Sequence, residues 1–348
     1  MKEISDKKIL ESVQISFKST LHDSIQRMND SAQKILVVVD NQKKVIGTIT
    51  DGDIRRGIIS GLSMSSLIDC FFNSKPKLLV EDSYKAASEI MIQYEIDRVP
   101  LLDENGFLKK IYILDTVNYV NGVKYVNKVV VMAGGKGVRL KPITDIIPKP
   151  LLPISGKPII HRIMEVFNKS GFSKFLFTLN YKKDMIKLYL DSIKDDSLNI
   201  SVIEEEDFLG TAGSLSLIKN IEKQPVFLTN CDILLDIDYG KALKFHEKNN
   251  NEITIIGNLQ EISVPYGILN QLNGAFIDIE EKPTLHYTVN TGIYILNNSV
   301  IERIPYNKRI DMPDVVNNEK TLGSKIGVYP THEKWFDIGN WADLQKNC

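Results

Sequence analysis

The chain has few cysteines, no long apolar run and almost no net charge, and each absence excludes a class of protein. Its cysteines, Cys70, Cys231 and Cys348, are odd in number and lack metal-ligand spacing, which favours free thiols in a reducing cytoplasm over a disulfide framework. No segment reaches the roughly 18 consecutive apolar residues of a membrane span, and the first residues contain no apolar run of signal-peptide length. The net charge of −1 provides no field for nucleic acid or an anionic membrane, so we expect neither partner.

The 348 residues divide into two parts with different patterns, which fits two domains of ordinary size. An internal repeat occupies the first part and stops around residues 121–127. From Lys128 onward, apolar strands alternate with helical patterns. We therefore expect one domain over residues 1–122 and a second over residues 128–348.

The repeat in the first part has a fixed offset. The run LVVVD ends at Asp40 and the run VPLLD ends at Asp103, which are 103 − 40 = 63 residues apart. Each unit is predicted to form a short strand, a helix, an apolar strand, a polar turn, a second strand and a second helix. Because neither unit could bury its apolar face alone, we expect residues of about 8–60 and 70–122 to pack against each other.

The first repeat carries a G-x-x-T-x-x-D run at residues 47–53, between a strand and a helix. With this run, residues 1 to about 120 resemble a tandem pair of CBS domains. The resemblance implies that Thr50 and Asp53 contact the ribose and phosphate of a regulatory adenosine nucleotide, and that the protein forms a homo-oligomer, since such pairs commonly associate. Two alternatives remain open: Thr50 and Asp53 only cap the following helix, and the repeat is a dimerisation module.

The second part has the strand–helix–strand order of an α/β protein. Apolar strands are predicted at VVVM, KFLFTLN and PVFLTN, and Pro158 suits the first turn of a helix. This order predicts a Rossmann-like, mostly parallel sheet with helices on both faces. In such sheets, ligands bind beyond the carboxyl ends of the strands.

The segment richest in chemistry follows the first of these strands, over residues 131–144, and PKPLLPI comes shortly after it. Three glycines within four positions let the backbone approach a ligand and direct N–H groups at phosphate oxygens. Arg139 and Lys149 add positive charge for a triphosphate. A P-loop is excluded because G-x-x-x-x-G-K-[ST] is absent, and a dinucleotide fingerprint is excluded because its third glycine would fall at Leu140.

This segment resembles the signature of sugar-1-phosphate nucleotidyltransferases, GGxGTRLxPLT…PKPLLPI, with Val138 where that family usually has Thr or Ser. Further motifs follow in family order over residues 128–348: LGTAG, a strand ending in an Asp, a Y-G turn, E-K-P, N-T-G and W-x-D-I-G. The resemblance implies nucleotide binding by Ala133, Gly134, Gly135, Gly137, Gly210, Thr211, Ala212 and Gly213. It implies sugar-phosphate binding by Tyr266, Gly267, Glu281, Lys282, Asn290 and Thr291. It implies catalysis by Arg139, Lys149, Asp232 and Asp337, the two aspartates holding Mg²⁺.

These motifs together predict transfer of a nucleotidyl group from a nucleoside triphosphate to a sugar 1-phosphate, which gives a nucleotide-sugar and pyrophosphate. The motifs and the fused repeats resemble bacterial guanylyltransferases for glucosamine 1-phosphate or mannose 1-phosphate, so we expect GTP as the donor. UTP- or CTP-dependent transfer remains an alternative. So do a choline-phosphate cytidylyltransferase, which shares the loop, and a sensor that binds nucleotide or nucleotide-sugar without turnover.

Overall fold

The computed structural model describes residues 2–94, 96–113, 124–194, 197–219 and 223–339. By its contacts the chain divides into two compact units. The first unit comprises Met1–Tyr119, Leu259–Thr288 and Pro330–His332. The second unit comprises Val120–Asn258, Val289–Tyr329 and Glu333–Cys348.

The amino-terminal part of the first unit consists of short strands and helices. These are β1 (Lys2–Ile4), α1 (Lys7–Ser12), β2 (Gln14–Ser16), α2 (Leu21–Ser31), β3 (Ile35–Val39), β4 (Val45–Thr50), α3 (Asp51–Ile59), α4 (Tyr84–Tyr94), β5 (Arg98–Leu102) and β6 (Leu108–Ile113). The offset of 63 residues relates α2 to α4, β3 to β5 and β4 to β6. The last helix predicted for the second repeat lies in residues 114–123, outside the described residues.

Two small sheets organise these elements, one with the order β2-β3-β4 and one with the order β1-β6-β5. Helix α2 begins where the Thr20 hydroxyl accepts a hydrogen bond from the backbone N–H of Asp23 and the Asp23 carboxylate accepts one from Thr20. This capping box satisfies two N–H groups that the first helical turn leaves without a partner. Leu21 and Leu36 lie in the buried core between helix and sheet. Leu259, from the segment that joins this unit late in the chain, packs against that core.

The next part of the chain builds most of the second unit. Its elements are β7 (Tyr125–Met132), β8 (Pro153–Ile154), β9 (Lys157–Pro158), α5 (Ile159–Lys169), β10 (Phe172–Leu179), α6 (Lys183–Ser192), β11 (Asn199–Glu204), β12 (Val226–Asn230), β13 (Ile233–Leu235), α7 (Tyr239–Lys248) and β14 (Ile253–Ser263). Short 3₁₀ turns lie at Val138–Leu140, Ile143–Asp145, Lys149–Leu151 and Gly213–Leu217.

The remaining elements are a hairpin of the first unit, β15 (Ile268–Leu272) and β16 (Ala275–Glu280), followed by β17 (Thr284–Leu296), α8 (Asn298–Glu302), α9 (Met312–Thr321), β18 (Ile326–Thr331) and β19 (Trp335–Asp337). Strands β14 and β17 each have one end in each unit, because the division falls after Asn258 and before Val289. The hairpin strands are antiparallel, with Ile268 opposite Glu280.

A seven-stranded sheet of order β11-β10-β7-β12-β17-β14-β18 forms the centre of the second unit. Strands β11, β10, β7 and β12 run parallel, and β17 is antiparallel to β12. This confirms the predicted α/β fold with a mostly parallel sheet. Val129, Val130 and Val131 are fully buried, as expected for a strand covered on both faces. The carboxyl ends of the four parallel strands therefore meet at one edge.

Candidate active site

The residues that follow the parallel strands are held together by backbone hydrogen bonds at this edge. The N–H of Ala133 donates to the carbonyl of Thr178 at 2.9 Å, and the N–H of Glu205 donates to the carbonyl of Leu179 at 2.8 Å. The N–H of Cys231 donates to the carbonyl of Met132 at 3.2 Å. The segments after β7, β10, β11 and β12 thus lie side by side, which brings distant parts of the sequence to one place.

The glycine loop after β7 is packed at its two ends and open between them. A β-carbon built on Gly134 would lie 3.0 Å from Oε1 of Glu205. Gly137 has a φ of +62°, and a β-carbon there would lie 3.0 Å from the Cγ2 of Thr144. No atom of the described residues lies within 4 Å of a β-carbon built on Gly135. The loop is therefore fixed by its neighbours and keeps open space at its middle, as a phosphate cradle requires.

Lys149 and Asp232 form an ion pair beside this loop, between Lys149 Nζ and Asp232 Oδ2. Their side chains are only 9% and 16% exposed. The other oxygen, Oδ1, of Asp232 is shielded from solvent and has no hydrogen-bond partner among the described residues. Because such an oxygen costs free energy if left alone, it suits a cation, and carboxylates are the ligands that Mg²⁺ prefers. Burial raises the pKa of the neighbouring Cys231 thiol to about 12.

The pairing of strands β13 and β19 brings Asp337 close to Asp232. Strand β19 is antiparallel to β13 with Asp337 opposite Ile233, and the N–H of Ile338 donates to the carbonyl of Asp232 at 3.0 Å. A β-carbon built on Gly339 would lie 3.1 Å from Nη1 of Arg139 and 3.2 Å from Oδ1 of Asp337. The Arg139 guanidinium and the Asp337 carboxylate therefore both lie against Gly339.

The four predicted catalytic residues are thus brought together within the second unit, two cations with two carboxylates. They come from the loop after β7, the 3₁₀ turn at Lys149–Leu151, the end of β12 and β19. Such a set can bind a polyphosphate and a divalent cation at the same time. Whether each residue acts in catalysis remains a prediction.

The LGTAG glycines have a different environment from the glycine loop. A β-carbon on Gly210, which has a φ of +81°, would lie 2.6 Å from the carbonyl oxygen of Ile310, and one on Gly213 would lie 2.3 Å from that of Lys308. The Thr211 hydroxyl donates to the Asp311 carboxylate at 3.1 Å and accepts from the N–H of Met312 at 2.9 Å. The motif therefore packs against the segment that starts α9, with Ala212 fully buried. Nucleotide contact by these residues stays a prediction.

Asn290 and Thr291 also have partners within the second unit. The buried Thr291 hydroxyl donates to the carbonyl of Ile256 at 2.8 Å and accepts from the N–H of Ile293. The Asn290 amide donates to the Tyr294 hydroxyl at 2.5 Å and accepts from the N–H of Gly292 at 3.0 Å. Because the single hydroxyl proton of Thr291 is already donated to Ile256, this side chain has no proton left to donate to a sugar phosphate.

The other four predicted sugar-phosphate residues lie in the first unit, at the base of the β15–β16 hairpin. A β-carbon built on Gly267 would lie 2.9 Å from Oε2 of Glu281, so the Y-G and E-K-P motifs are neighbours. Tyr266 is 73% exposed. Lys282 has a φ of +46°. The hairpin thus places Tyr266, Gly267, Glu281 and Lys282 together.

Two polar residues at the strand ends were missed by the sequence reasoning. Glu205, which follows β11, is buried and accepts a hydrogen bond from the N–H of Leu209. Asn180, which follows β10, donates to the carbonyl of Glu205 at 2.9 Å. The signal was present as polar residues after apolar strands. It could not be used without knowing that β11, β10 and β7 lie side by side in that order.

In the first unit, the Asp53 carboxylate accepts hydrogen bonds from residues at the start of its own helix, α3. Its Oδ2 accepts from the N–H and the hydroxyl of Thr50 at 2.8 and 2.7 Å, and Oδ1 accepts from Arg56 at 2.5 Å. Asp53 is buried. The capping interpretation therefore describes the bonds that are present, and a bound nucleotide remains a prediction. Within the described ranges, no helix combines the length and apolarity needed to cross a membrane.

Comparison with protein families matches both parts of the chain. The nucleotidyl transferase family model matches residues 128–347. The CBS domain model matches residues 2–60. The chain therefore combines a nucleotidyl transferase domain with an amino-terminal CBS domain.

Individual relatives resemble the nucleotidyl transferase part. Mannose-1-phosphate guanyltransferase of Yarrowia lipolytica is 31% identical over 229 residues, which is 62% of this chain and 62% of that protein. UTP–glucose-1-phosphate uridylyltransferase of Synechocystis sp. is 30% identical over 237 residues, 62% of this chain and 61% of that protein. The chain thus spans less than two thirds of the length of these relatives.

Among solved structures, HddC from Yersinia pseudotuberculosis complexed with GMP-PN is 28% identical and has a TM-score of 0.52. The match covers 64% of this chain and 98% of the HddC chain.

Proposed function

The chain belongs to the nucleotidyl transferase family, and we propose that it transfers a guanylyl group from GTP to a sugar 1-phosphate, releasing pyrophosphate. The observation that carries the proposal is the convergence of Lys149 and Asp232 with Arg139 and Asp337 beside the glycine loop. A site that only recognised a neutral sugar would have no need for two cations beside two carboxylates.

The choice of GTP is supported by the relatives. The Yarrowia relative is named a mannose-1-phosphate guanyltransferase, and the HddC structure contains GMP-PN. The Synechocystis relative is named a uridylyltransferase at nearly the same identity, so UTP is the main competitor. Mannose 1-phosphate and glucosamine 1-phosphate are the first acceptors to test.

In the proposed reaction, a phosphate oxygen of the sugar 1-phosphate attacks the α-phosphorus of GTP and the bond to pyrophosphate breaks. No general base is needed, because the attacking phosphate is already ionised. Arg139 and Lys149 bind and neutralise the triphosphate, so catalysis consists of positioning and charge stabilisation. Asp232 and Asp337 would hold Mg²⁺, which supplies further positive charge to the phosphate oxygens. Lys282 stays the predicted phosphate contact of the sugar substrate.

The ion pair of Lys149 and Asp232 also explains how the protein keeps this charge buried before substrate arrives. Each group compensates the other, which limits the desolvation cost. A triphosphate with its cation offers new partners to both groups. The pair is therefore a pre-formed site whose partners exchange on binding.

The test is a substrate matrix with the full-length protein. Each of GTP, UTP, CTP, ATP and dTTP is combined with Mg²⁺ and with mannose, glucosamine, glucose and galactose 1-phosphates or choline phosphate, and pyrophosphate release is measured. We expect GTP with a sugar 1-phosphate to be fastest. Preference for UTP would overturn the guanylyl assignment, and turnover of choline phosphate alone would overturn the sugar assignment. If nucleotide bound without any turnover, the protein would be a sensor.

A further inference from the structure

Three side chains with metal-ligating atoms, none of them among the predicted site residues, meet in the first unit. His22 lies in α2 of the first repeat, Glu261 near the end of β14, and His286 in β17. All three belong to the same compact unit, because that unit includes Leu259–Thr288. The three ligand atoms lie within 4.8 Å of one another.

The distances between the ligand atoms are close to those around a shared cation. Oε1 of Glu261 is 3.0 Å from Nδ1 of His22 and 3.7 Å from Nδ1 of His286. Ligands that bind a metal at about 2.0–2.1 Å lie roughly 2.8–3.4 Å from each other in octahedral or tetrahedral geometry. The His22–Glu261 distance lies within that range, and the His286–Glu261 distance exceeds it by a few tenths of an ångström, which a side-chain adjustment on metal binding would remove. The two imidazole rings meet edge to face, with centroids 5.5 Å apart, so neither ring stacks over the other and blocks the space between the three atoms.

Protein contacts alone do not satisfy this cluster. Nδ1 of His22 is shielded from solvent and makes no hydrogen bond within the described part of the chain, although the Glu261 oxygen is 3.0 Å away. The same oxygen is too far from His286 for a hydrogen bond, at 3.7 Å. A buried polar nitrogen without a partner costs free energy. A cation between the three atoms would remove that cost, because it would accept the lone pair of each nitrogen and the charge of the carboxylate.

The donor set selects the class of metal. Two imidazole nitrogens and one carboxylate suit zinc and its transition-metal neighbours, whereas Mg²⁺ prefers oxygen ligands. The side chains are 34%, 46% and 28% exposed for His22, Glu261 and His286, so water can complete the coordination. Three protein ligands with a fourth position completed by water are typical of catalytic zinc sites, whereas structural zinc sites use four protein ligands.

We propose that His22, Glu261 and His286 bind one divalent transition-metal ion of the zinc class, which ties the segment carrying the β15–β16 hairpin to the first repeat. Residue 261 is 261 − 22 = 239 positions from residue 22, so the ion would link parts of the chain that are distant in sequence. The site is separate in residues and in chemistry from the predicted Mg²⁺ ligands Asp232 and Asp337. It does not depend on the proposed transfer reaction.

The first test is metal titration of full-length protein without a polyhistidine tag, after removal of metals by a chelator. We expect calorimetry with Zn²⁺ to give one equivalent bound, with excess Mg²⁺ failing to compete. With Co²⁺ in place of Zn²⁺, we expect visible absorption bands of a nitrogen-ligated ion. Because the metal would bind only the folded protein, Zn²⁺ should also raise the melting temperature. Absence of saturable Zn²⁺ binding would overturn the proposal.

Variants identify the ligands. His22→Gln and His286→Gln should each lower the Zn²⁺ affinity at least about 100-fold and remove the cobalt absorption and the thermal shift. The matched control is His161→Gln, because His161 is also a half-buried histidine near a carboxylate, Glu165, at 3.6 Å, but has no second histidine. It should bind Zn²⁺ like the wild type.

If either histidine variant fails to fold, Glu261→Gln at the most exposed of the three positions replaces it, and the cobalt spectrum of the wild type still reports nitrogen ligation. Equal Zn²⁺ binding by the wild type and by the folded ligand variants would place the ion elsewhere and overturn the proposal.

Discussion

The two glycine motifs of the second unit have opposite surroundings, although their sequences predicted the same role. A β-carbon on Gly135 would meet open space among the described residues, whereas one on Gly213 would lie 2.3 Å from a backbone oxygen of Lys308. The first glycine leaves room for a ligand, and the second leaves room for the protein itself. A glycine in a nucleotide-binding motif can therefore be required by folding alone.

The same contrast separates two aspartates. Oδ1 of Asp232 is buried without a hydrogen-bond partner among the described residues. Both carboxylate oxygens of Asp53 accept hydrogen bonds from its own helix turn. The sequence motifs predicted that each aspartate binds a ligand, and the hydrogen bonds that each already accepts distinguish the two residues. Substitutions at open groups should impair binding or turnover, and substitutions at engaged groups should first impair stability.

The largest effect is expected at the open carboxylate. Asp232→Asn removes the charge that would hold the cation, so turnover should fall on the order of 10³-fold. The control is Asp236→Asn, since Asp236 is exposed on the same segment and pairs only with Lys169 at 3.0 Å in the contacts described. Pyrophosphate release with saturating substrates measures both. Wild-type turnover of Asp232→Asn at ordinary Mg²⁺ levels would remove Asp232 from the mechanism.

The next largest effect is expected at the engaged glycine. Gly213→Ala forces a methyl group against the Lys308 carbonyl and the Leu209 side chain, so the free energy of unfolding should fall by about 3 kcal/mol. Thermal and denaturant unfolding measure the loss. Stability equal to the wild type would mean that the 308–310 segment moves freely, and the contrast between the motifs would then disappear.

Strong local patterns were enough to predict much of the fold. The run VVVM predicted the central strand β7, and the run after Pro158 predicted α5, because continuous burial and helical spacing leave clear marks in sequence. The two-residue and three-residue strands left no such mark. Strand β13 forms through its long-range pairing with β19, and this register brings Asp232 beside Ile338.

The candidate site was predictable where motifs preserve residue type and not where neighbours decide the role. Arg139, Lys149, Asp232 and Asp337 were chosen from sequence, and the structure brings them together. Glu205 could not be chosen, because its closeness to Gly134 depends on the order of the strands. Likewise, the grouping of Leu259–Thr288 with the first unit depends on contacts between distant segments, which periodicity does not encode.

A third effect tests charge against geometry in the open loop. Arg139→Lys keeps the charge and loses the planar fork that can bind two phosphate oxygens, so kcat/KM for GTP should fall on the order of 10²-fold. Lys136→Arg, at an exposed position of the same loop, is the control and should have little effect. A change confined to the KM of the sugar phosphate would assign the loop to the other substrate.

A smaller effect is expected at the open glycine, and it completes the comparison with Gly213. Gly135→Ala adds a methyl group where no described atom lies, so the free energy of unfolding should change by less than about 0.5 kcal/mol. If phosphate approaches this backbone, kcat/KM for GTP should still fall about 10-fold, because the methyl group occupies that space. Unchanged stability and unchanged kinetics would show that the open space is not used by the nucleotide.

The smallest effect concerns the engaged aspartate of the CBS domain. Asp53→Ala removes the acceptor of the Thr50 N–H and hydroxyl, and loss of such a helix-terminal contact costs about 1 kcal/mol of stability. The control is Asp30→Ala, at an exposed position near the end of α2.

If Asp53 also binds a regulatory nucleotide, calorimetric titration with adenosine and guanosine nucleotides should show binding to the wild type and to Asp30→Ala. Binding to Asp53→Ala should then be at least about 10-fold weaker. Such a ligand would share the carboxylate with Thr50 and Arg56, because both of its oxygens already accept hydrogen bonds. Stability loss in Asp53→Ala with no nucleotide bound by the wild type would leave Thr50 and Asp53 as a helix cap and favour a dimerisation role for the repeat.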